Sequence, residues 1–149
     1  MNYFDDIENN NRLEKSLKEW MDTPYRHHCG VKGLGCDCIH FVAKVLEEVG
    51  LIAVDKKLIP DYPKDWHLHN SRELLSEGIK RVLNVKEIGT DSFMNGDIVL
   101  FHYGKAASHA AFYFNGYLYQ SLNGVGVTKI NASDTVFKRQ MRLAYRVIK

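Results

Sequence analysis

The dipeptide Asn115-Gly116, set between two runs of alternating apolar and polar residues, constrains this chain more than any other feature. Of the two-residue hairpin turns that match the twist of their strands, the one with positive φ at both central residues is supplied at least cost by Asn-Gly. If these two residues are the whole loop, Phe114 pairs with Tyr117, Ala111 faces Gln120 and His109 faces Leu122. Side chains alternate along a strand, so His109, Ala111 and Tyr113 share one face. Gln120 is then a diagonal neighbour of His109 on that face, at a Cβ separation of about 7 Å or less. One turn therefore predicts that an imidazole and a carboxamide come within reach of each other.

Three more strands are expected over residues 98–102, 125–130 and 143–148, the first preceded by the turn Asn95-Gly96. The helices come earlier. Leu13, Leu17, Trp20 and Met21 fall at helical spacing over residues 11–21, and Asp22-Thr23-Pro24 ends the run. The first ten residues are polar and are expected to fray. Residues 25–36 hold three glycines and little periodicity, and read as a loop. Cys38, Phe41, Val42, Val45, Leu46 and Val49 form a second helical stripe, with Asp37 at the N-cap position and Gly50 as the stop. Residues 55–69 read as an irregular connection. A shorter helix follows over 70–79, capped by Asn70 or Ser71, with Leu74, Leu75 and Ile79 inward. Helices first and antiparallel strands second predict an α+β fold, as a single domain over residues 1–149.

Composition narrows the function classes. Twenty basic and eighteen acidic residues leave a net charge of +2, too balanced to advertise nucleic acid or an anionic membrane as the main partner. No apolar stretch approaches the ~18 residues needed to span a bilayer. The start, Met1 to Asp6, is acidic and polar, unlike a secretory leader, so synthesis in the cytoplasm is expected. All three cysteines lie between Cys29 and Cys38 and cannot staple distant parts of a fold.

The chemistry centres on Cys38, in the first turn of its helix. Unpaired N–H groups and the positive end of the helix dipole favour a thiolate there, and the same N–H groups can hold an oxyanion. The plain alternative is a small core residue, since Cys38 also lies on the apolar stripe. A nucleophilic thiol needs a base. Of seven histidines, His109 stands out beside Ser108, Ala110 and Ala111, small residues that allow close approach. Gln120 can occupy one ring nitrogen of His109 and leave the other for the thiol, the base–orienter logic of a triad. Alone, Gln120 would pass for a polar residue on an exposed strand face. A second reading takes His27, His28, Cys29, Cys36, Cys38 and His40 as zinc ligands, although Cys36-Asp37-Cys38 has a single intervening residue where zinc sites favour two to four. Trp20 reads as core, Trp66 with His67 and His69 as a cap on a helix, Asp97 as the stabiliser of a turn, and residues 138–142 as a solvated basic face.

Thr23-Pro24-Tyr25-Arg26, a glycine-rich loop, then Gly35-Cys36-Asp37-Cys38 opening a helix, resembles the NlpC/P60 papain-like cysteine peptidases. The resemblance continues through Asn95-Gly96-Asp97-Ile98-Val99-Leu100-Phe101 and Ser108-His109-Ala110-Ala111-Phe112-Tyr113. Tyr62-Pro63-Lys64-Asp65-Trp66-His67 resembles the phage-associated, tail-linked branch. The resemblance implies a reduced papain-like fold, with N-terminal helices packed on a C-terminal antiparallel sheet. It implies Cys38 as nucleophile, His109 as base and Gln120 as orienting residue. It further implies Tyr25 as a site-lining group near the oxyanion, and Asp37 as a contact for the free amine of a cell-wall peptide. The implied reaction is cleavage of an amide bond in peptidoglycan stem peptides, commonly after γ-D-glutamate, with no cofactor and no metal. The implied partners are phage tail proteins, with delivery by the tail or release on lysis. A tail assembly module that keeps the fold is the alternative. Ile39-His40 replaces the Ser-Gly that often follows the cysteine, and His27, His28 and Cys29 are not required by the pattern.

Overall fold

The computed structural model describes residues 1–54, 58–59, 74–102 and 107–149. Helix α1 runs Ile7–Trp20, the short strands β1 and β2 span Gly30–Val31 and Gly35–Cys36, and α2 runs Cys38–Glu48. Helix α3 (Leu74–Val82) leads into β3 (Val85–Ile88), followed by β4 (Ile98–His102), β5 (Ala107–Phe114), β6 (Tyr117–Leu122) and β7 (Gly126–Asn131). Helix α4 (Thr135–Gln140) and β8 (Met141–Val147) complete the order. Six strands form one antiparallel sheet in the order β3-β8-β4-β5-β6-β7. The fold is α+β, as the element order predicts.

The alternation of the strands divides the core in two. Ile98, Leu100, Ala110, Phe112 and Tyr145 join the apolar stripes of α1 and α2, among them Leu13, Leu17, Trp20, Phe41 and Val45. On the other face Val99, Phe101, Ala111, Leu118 and Ala144 form a smaller cluster, covered by Phe93, Phe137 and Met141. Trp20 is core, as expected, and its indole N–H donates to Glu48 at 3.0 Å.

The Asn115-Gly116 loop is as predicted. Both residues have positive φ, +47° and +90°, and Phe114↔Tyr117, Tyr113↔Leu118 and Phe112↔Tyr119 are paired. Among the described residues the β5–β6 ladder ends there, so Ala111 and Gln120, and His109 and Leu122, are not ladder partners. The reason is an insertion. The segment entering α2 lies against both strands at this end: the Cys38 thiol meets the Ser108 carbonyl of β5 at 3.7 Å, and Ser121 of β6 donates to the Cys36 carbonyl at 2.8 Å.

Four local expectations need correction. The N-terminus is ordered, because the Phe4 ring is buried against Gly96, where a Cβ would collide with it. Helix α1 starts at Ile7 rather than residue 11, because the Asp6 carboxylate caps it by accepting from the Glu8 and Asn9 amides. The loop over 25–36 contains the β1–β2 ribbon, with Gly30 paired to Cys36. Strand β3 and helix α4 carry no apolar periodicity strong enough to be read from sequence. They are held by pairing with β8 and by the Asp134 cap respectively. The start of the helix expected over 70–79 lies outside the described residues, as does the 62–67 segment.

Asp97 stabilises its turn, as expected, and does more. It is 1% exposed, accepts from the Met94 amide at 2.7 Å, and forms a bidentate pair with Arg146 of β8 at 2.9 and 2.8 Å. Breaking such a buried pair from one side leaves an uncompensated charge, at a cost of about 3–5 kcal/mol. Asp97→Ala is expected to lower unfolding free energy in urea by that order, and Asp97→Ala/Arg146→Met to recover part of the loss.

Candidate active site

The site is assembled at the start of α2. Asp37 is the N-cap and is 2% exposed. One carboxylate oxygen accepts from the His40 amide at 2.8 Å and from His40 Nδ1 at 2.9 Å, and the other accepts from the His28 amide at 2.7 Å. These bonds fix where the helix begins and hence where Cys38 points. In this conformation both oxygens are engaged by the protein's own chain, and the carboxylate serves as the cap of α2.

Cys38 is 9% exposed. Its sulfur lies near the amide hydrogens of Cys38, Ile39 and Ala110, which favour the thiolate. Burial outweighs them and, with the nearby Asp37 charge, pushes the thiol up to about 12. The helix start therefore does what the sequence predicts, but against a larger opposing effect. The contacts from Ser108 and Ala110 were invisible in the sequence because they are backbone groups of β5, presented where the β5–β6 ladder has stopped.

His109 is adjacent to Ser108 on β5 and is 5% exposed. Its Nε2 lies 2.6 Å from Oε1 of Gln120, which is wholly buried. The two side chains meet as expected, although the pairing of Ala111 with Gln120 on which that expectation rested is not made. A carboxamide oxygen is only an acceptor, so Nε2 carries the hydrogen and Nδ1 keeps its lone pair. Burial drives the imidazole down to about 4, and the Gln120 bond offsets part of that. At neutral pH the resting pair is a neutral thiol and a neutral imidazole.

Tyr25 forms a bridge to Cys36, on the same segment. Burial pushes its hydroxyl up to about 12, and the neighbouring Cys38, Asp37 and Cys36 act in the same direction. It stays protonated at neutral pH and can donate to a developing anion. Four of the five predicted site residues, Tyr25, Asp37, Cys38 and, through β5, His109, thus converge, and Gln120 joins them through His109.

The zinc reading finds no support in the geometry. Among the described residues no group of three His, Cys, Asp or Glu side chains is arranged to hold a metal ion. Cys36 is buried, its thiol is pushed up to about 11 by burial, and its sulfur lies 3.6 Å from the Ser121 hydroxyl. His40 is committed to Asp37. Trp66, His67 and His69 lie outside the described residues.

The family model of the NlpC/P60 family matches residues 22–146. The chain belongs to the NlpC/P60 family. No curated protein matches it in sequence. Solved structures share the NlpC/P60 fold at low identity. A lipoprotein-like family member from Staphylococcus aureus superimposes with a TM-score of 0.65 at 19% identity, over 97% of this chain and 43% of that one. The NlpC/P60 domain of the peptidoglycan hydrolase SagA gives 0.60 at 14% identity, over 93% and 97%. The peptidoglycan hydrolase RipB from Mycobacterium tuberculosis gives 0.61 at 16%, over 95% and 66%. The chain thus spans less than half the length of the staphylococcal protein.

The buried imidazole has a measurable consequence. An ordinary histidine in the unfolded chain binds its proton near pH 6.5, whereas folded His109 waits until about 4. Between these values the unfolded state holds more protons, so stability falls as pH falls. Wild type is expected to lose a few kcal/mol of unfolding free energy from pH 7 to pH 4 through this residue. His109→Asn is expected to show a correspondingly flatter pH dependence in urea titrations.

Proposed function

We propose that this protein is a papain-like cysteine peptidase or amidase that cleaves an amide bond in the stem peptides of bacterial peptidoglycan. The observation that carries the reading is the bond between His109 Nε2 and Gln120 Oε1 at 2.6 Å, which fixes the tautomer whose Nδ1 can accept a proton, on the strand whose Ser108 carbonyl meets the Cys38 thiol at the start of α2. Membership of the NlpC/P60 family and the likeness to two peptidoglycan hydrolases support the substrate class.

In the proposed reaction the Cys38 proton passes to His109 Nδ1 as the sulfur attacks the amide carbonyl. Proton transfer inside the pair creates opposite charges together, and their attraction in a low dielectric offsets part of the cost of burying each. The Cys38 amide hydrogen and the Tyr25 hydroxyl stabilise the tetrahedral oxyanion. The imidazolium gives its proton to the leaving amine as the C–N bond breaks. Water, deprotonated by His109, then hydrolyses the thioester, releasing a carboxylate and the free thiol. Gln120 holds the imidazole in one tautomer and one orientation throughout.

Incubation with purified disaccharide peptides tests this by mass spectrometry. New amine and carboxylate ends are expected with wild type, none with Cys38→Ala, and a loss in kcat of about 100-fold or more with His109→Ala. Cleavage by Cys38→Ala at the wild-type rate would overturn the assignment. An alkylation-competent Cys38 with no cleavage across a panel of stem peptides would overturn the substrate class.

The delivery route is read from residues 62–67, whose sequence resembles the tail-linked branch. On that reading the chain rides on a phage tail, and particles lacking it lose wall-degrading activity. Full activity in such particles would overturn that reading and leave the hydrolase reading intact.

A further inference from the structure

The proposed reaction makes no use of His40, although its ring, like that of His109, is held by a side-chain partner. Its Nδ1 lies 2.9 Å from Asp37 Oδ1, and the side chain is 13% exposed. A carboxylate only accepts, so Nδ1 carries the hydrogen. The ring packs against Gly30, where a Cβ would lie 3.1 Å from it, and stands edge-on to His28 at 5.0 Å between centroids. His27 lies beyond His28, at 6.0 Å. The carboxylate that His40 grips belongs to the residue preceding Cys38. Its charge opposes loss of the Cys38 proton and acts in the same sense on Tyr25 and Cys36.

We propose that His40 is a positioning residue for the nucleophile: its Nδ1 hydrogen holds the Asp37 carboxylate and offsets its charge, so that Cys38 gives up its proton more readily than beside a less compensated carboxylate. The inference rests on Cys38 as nucleophile, but its test needs no peptidoglycan. His28, His27, Tyr25 and Cys36 are the other titratable groups facing this cluster.

Two variants separate hydrogen bonding from packing. The amide nitrogen of His40→Asn falls near the position of Nδ1 and can keep the bond to Asp37. That of His40→Gln falls near Nε2 and cannot. The rate of Cys38 alkylation by iodoacetamide, followed by mass spectrometry from neutral to alkaline pH, is the readout. His40→Gln is expected to slow alkylation at pH 7 by about threefold to tenfold and to move its midpoint up by about half a unit to one unit. His40→Asn is expected to stay near wild type. In an Asp37→Asn background His40→Gln is expected to change nothing further, because the charge it offsets is gone. Wild-type rates in His40→Gln, or an undiminished effect in the Asp37→Asn background, would overturn the proposal. Should either substitution fail to fold, the ring 15N shifts of His40 in wild type decide: an Nδ1 that bears no hydrogen overturns it. Dependence of Cys38 reactivity on His40 without cleavage of any stem peptide would overturn the proposed substrate class and leave this inference standing.

Discussion

The Asp37 carboxylate is the point on which the arrangement turns. It is a buried charge, which is tolerated only if its lone pairs are used. It uses them on three N–H groups from two segments, the amide of His28 and the amide and ring of His40. The first ties the 25–36 segment to the helix, and the other two cap α2. The position of Cys38 follows from that junction. So does that of Tyr25, whose bridge to Cys36 lies on the strand leading into it. The same charge works against thiolate formation one residue away. The site therefore joins a structural need for a capped helix to a chemical need for an unburdened thiol, and a histidine on the cap serves both.

The sheet contributes an opening at the right place. If the β5–β6 ladder continued to the strand ends, the Ser108 carbonyl and Ala110 amide would be spent on β6. Because it stops at Phe112↔Tyr119, these groups are available to the Cys38 sulfur, and the end of β6 turns its Ser121 hydroxyl to the Cys36 carbonyl. At the far end of the sheet the chain is held by the Asp97–Arg146 pair and by Phe4 on Gly96. The tight Asn115-Gly116 loop sits beside that anchored end, with Asn95 accepting from the Asn115 amide through its side chain. Rigidity at the loop end and separation at the other end make the hairpin a fork around the entry to α2.

This division explains what the sequence could disclose. Local rules with a strong physical preference were legible: positive φ at Asn115 and Gly116, the Asp37 cap and the apolar stripe of α2; the His109–Gln120 meeting was expected too, but from a register that the ladder does not keep as far as these residues. Features decided by distant partners were not. Nothing around Ile7 announces that Phe4 will find Gly96, and the polar run before residue 11 conceals the Asp6 cap. Strand β3 is an edge strand whose Lys86 and Glu87 face solvent, so its pattern carries no signal. The split of the β5–β6 ladder depends on a helix start dozens of residues earlier in the chain. His40 was legible as a departure from the family pattern and as a candidate zinc ligand, but not in its bond to Asp37, which follows from the cap geometry.

A neutral hydrogen-bond partner for His109 has its own electrostatic logic. A carboxylate in place of Gln120 would favour the imidazolium and hold the ring charged in the resting protein. A carboxamide fixes the same tautomer without adding charge, so burial keeps both His109 and Cys38 neutral until a substrate carbonyl is present to accept electron density from sulfur. On the proposed mechanism charge separation then coincides with attack rather than preceding it. That is consistent with a thiol that is 9% exposed, shielded by the backbone of β5, and placed beside a carboxylate that makes a standing thiolate expensive.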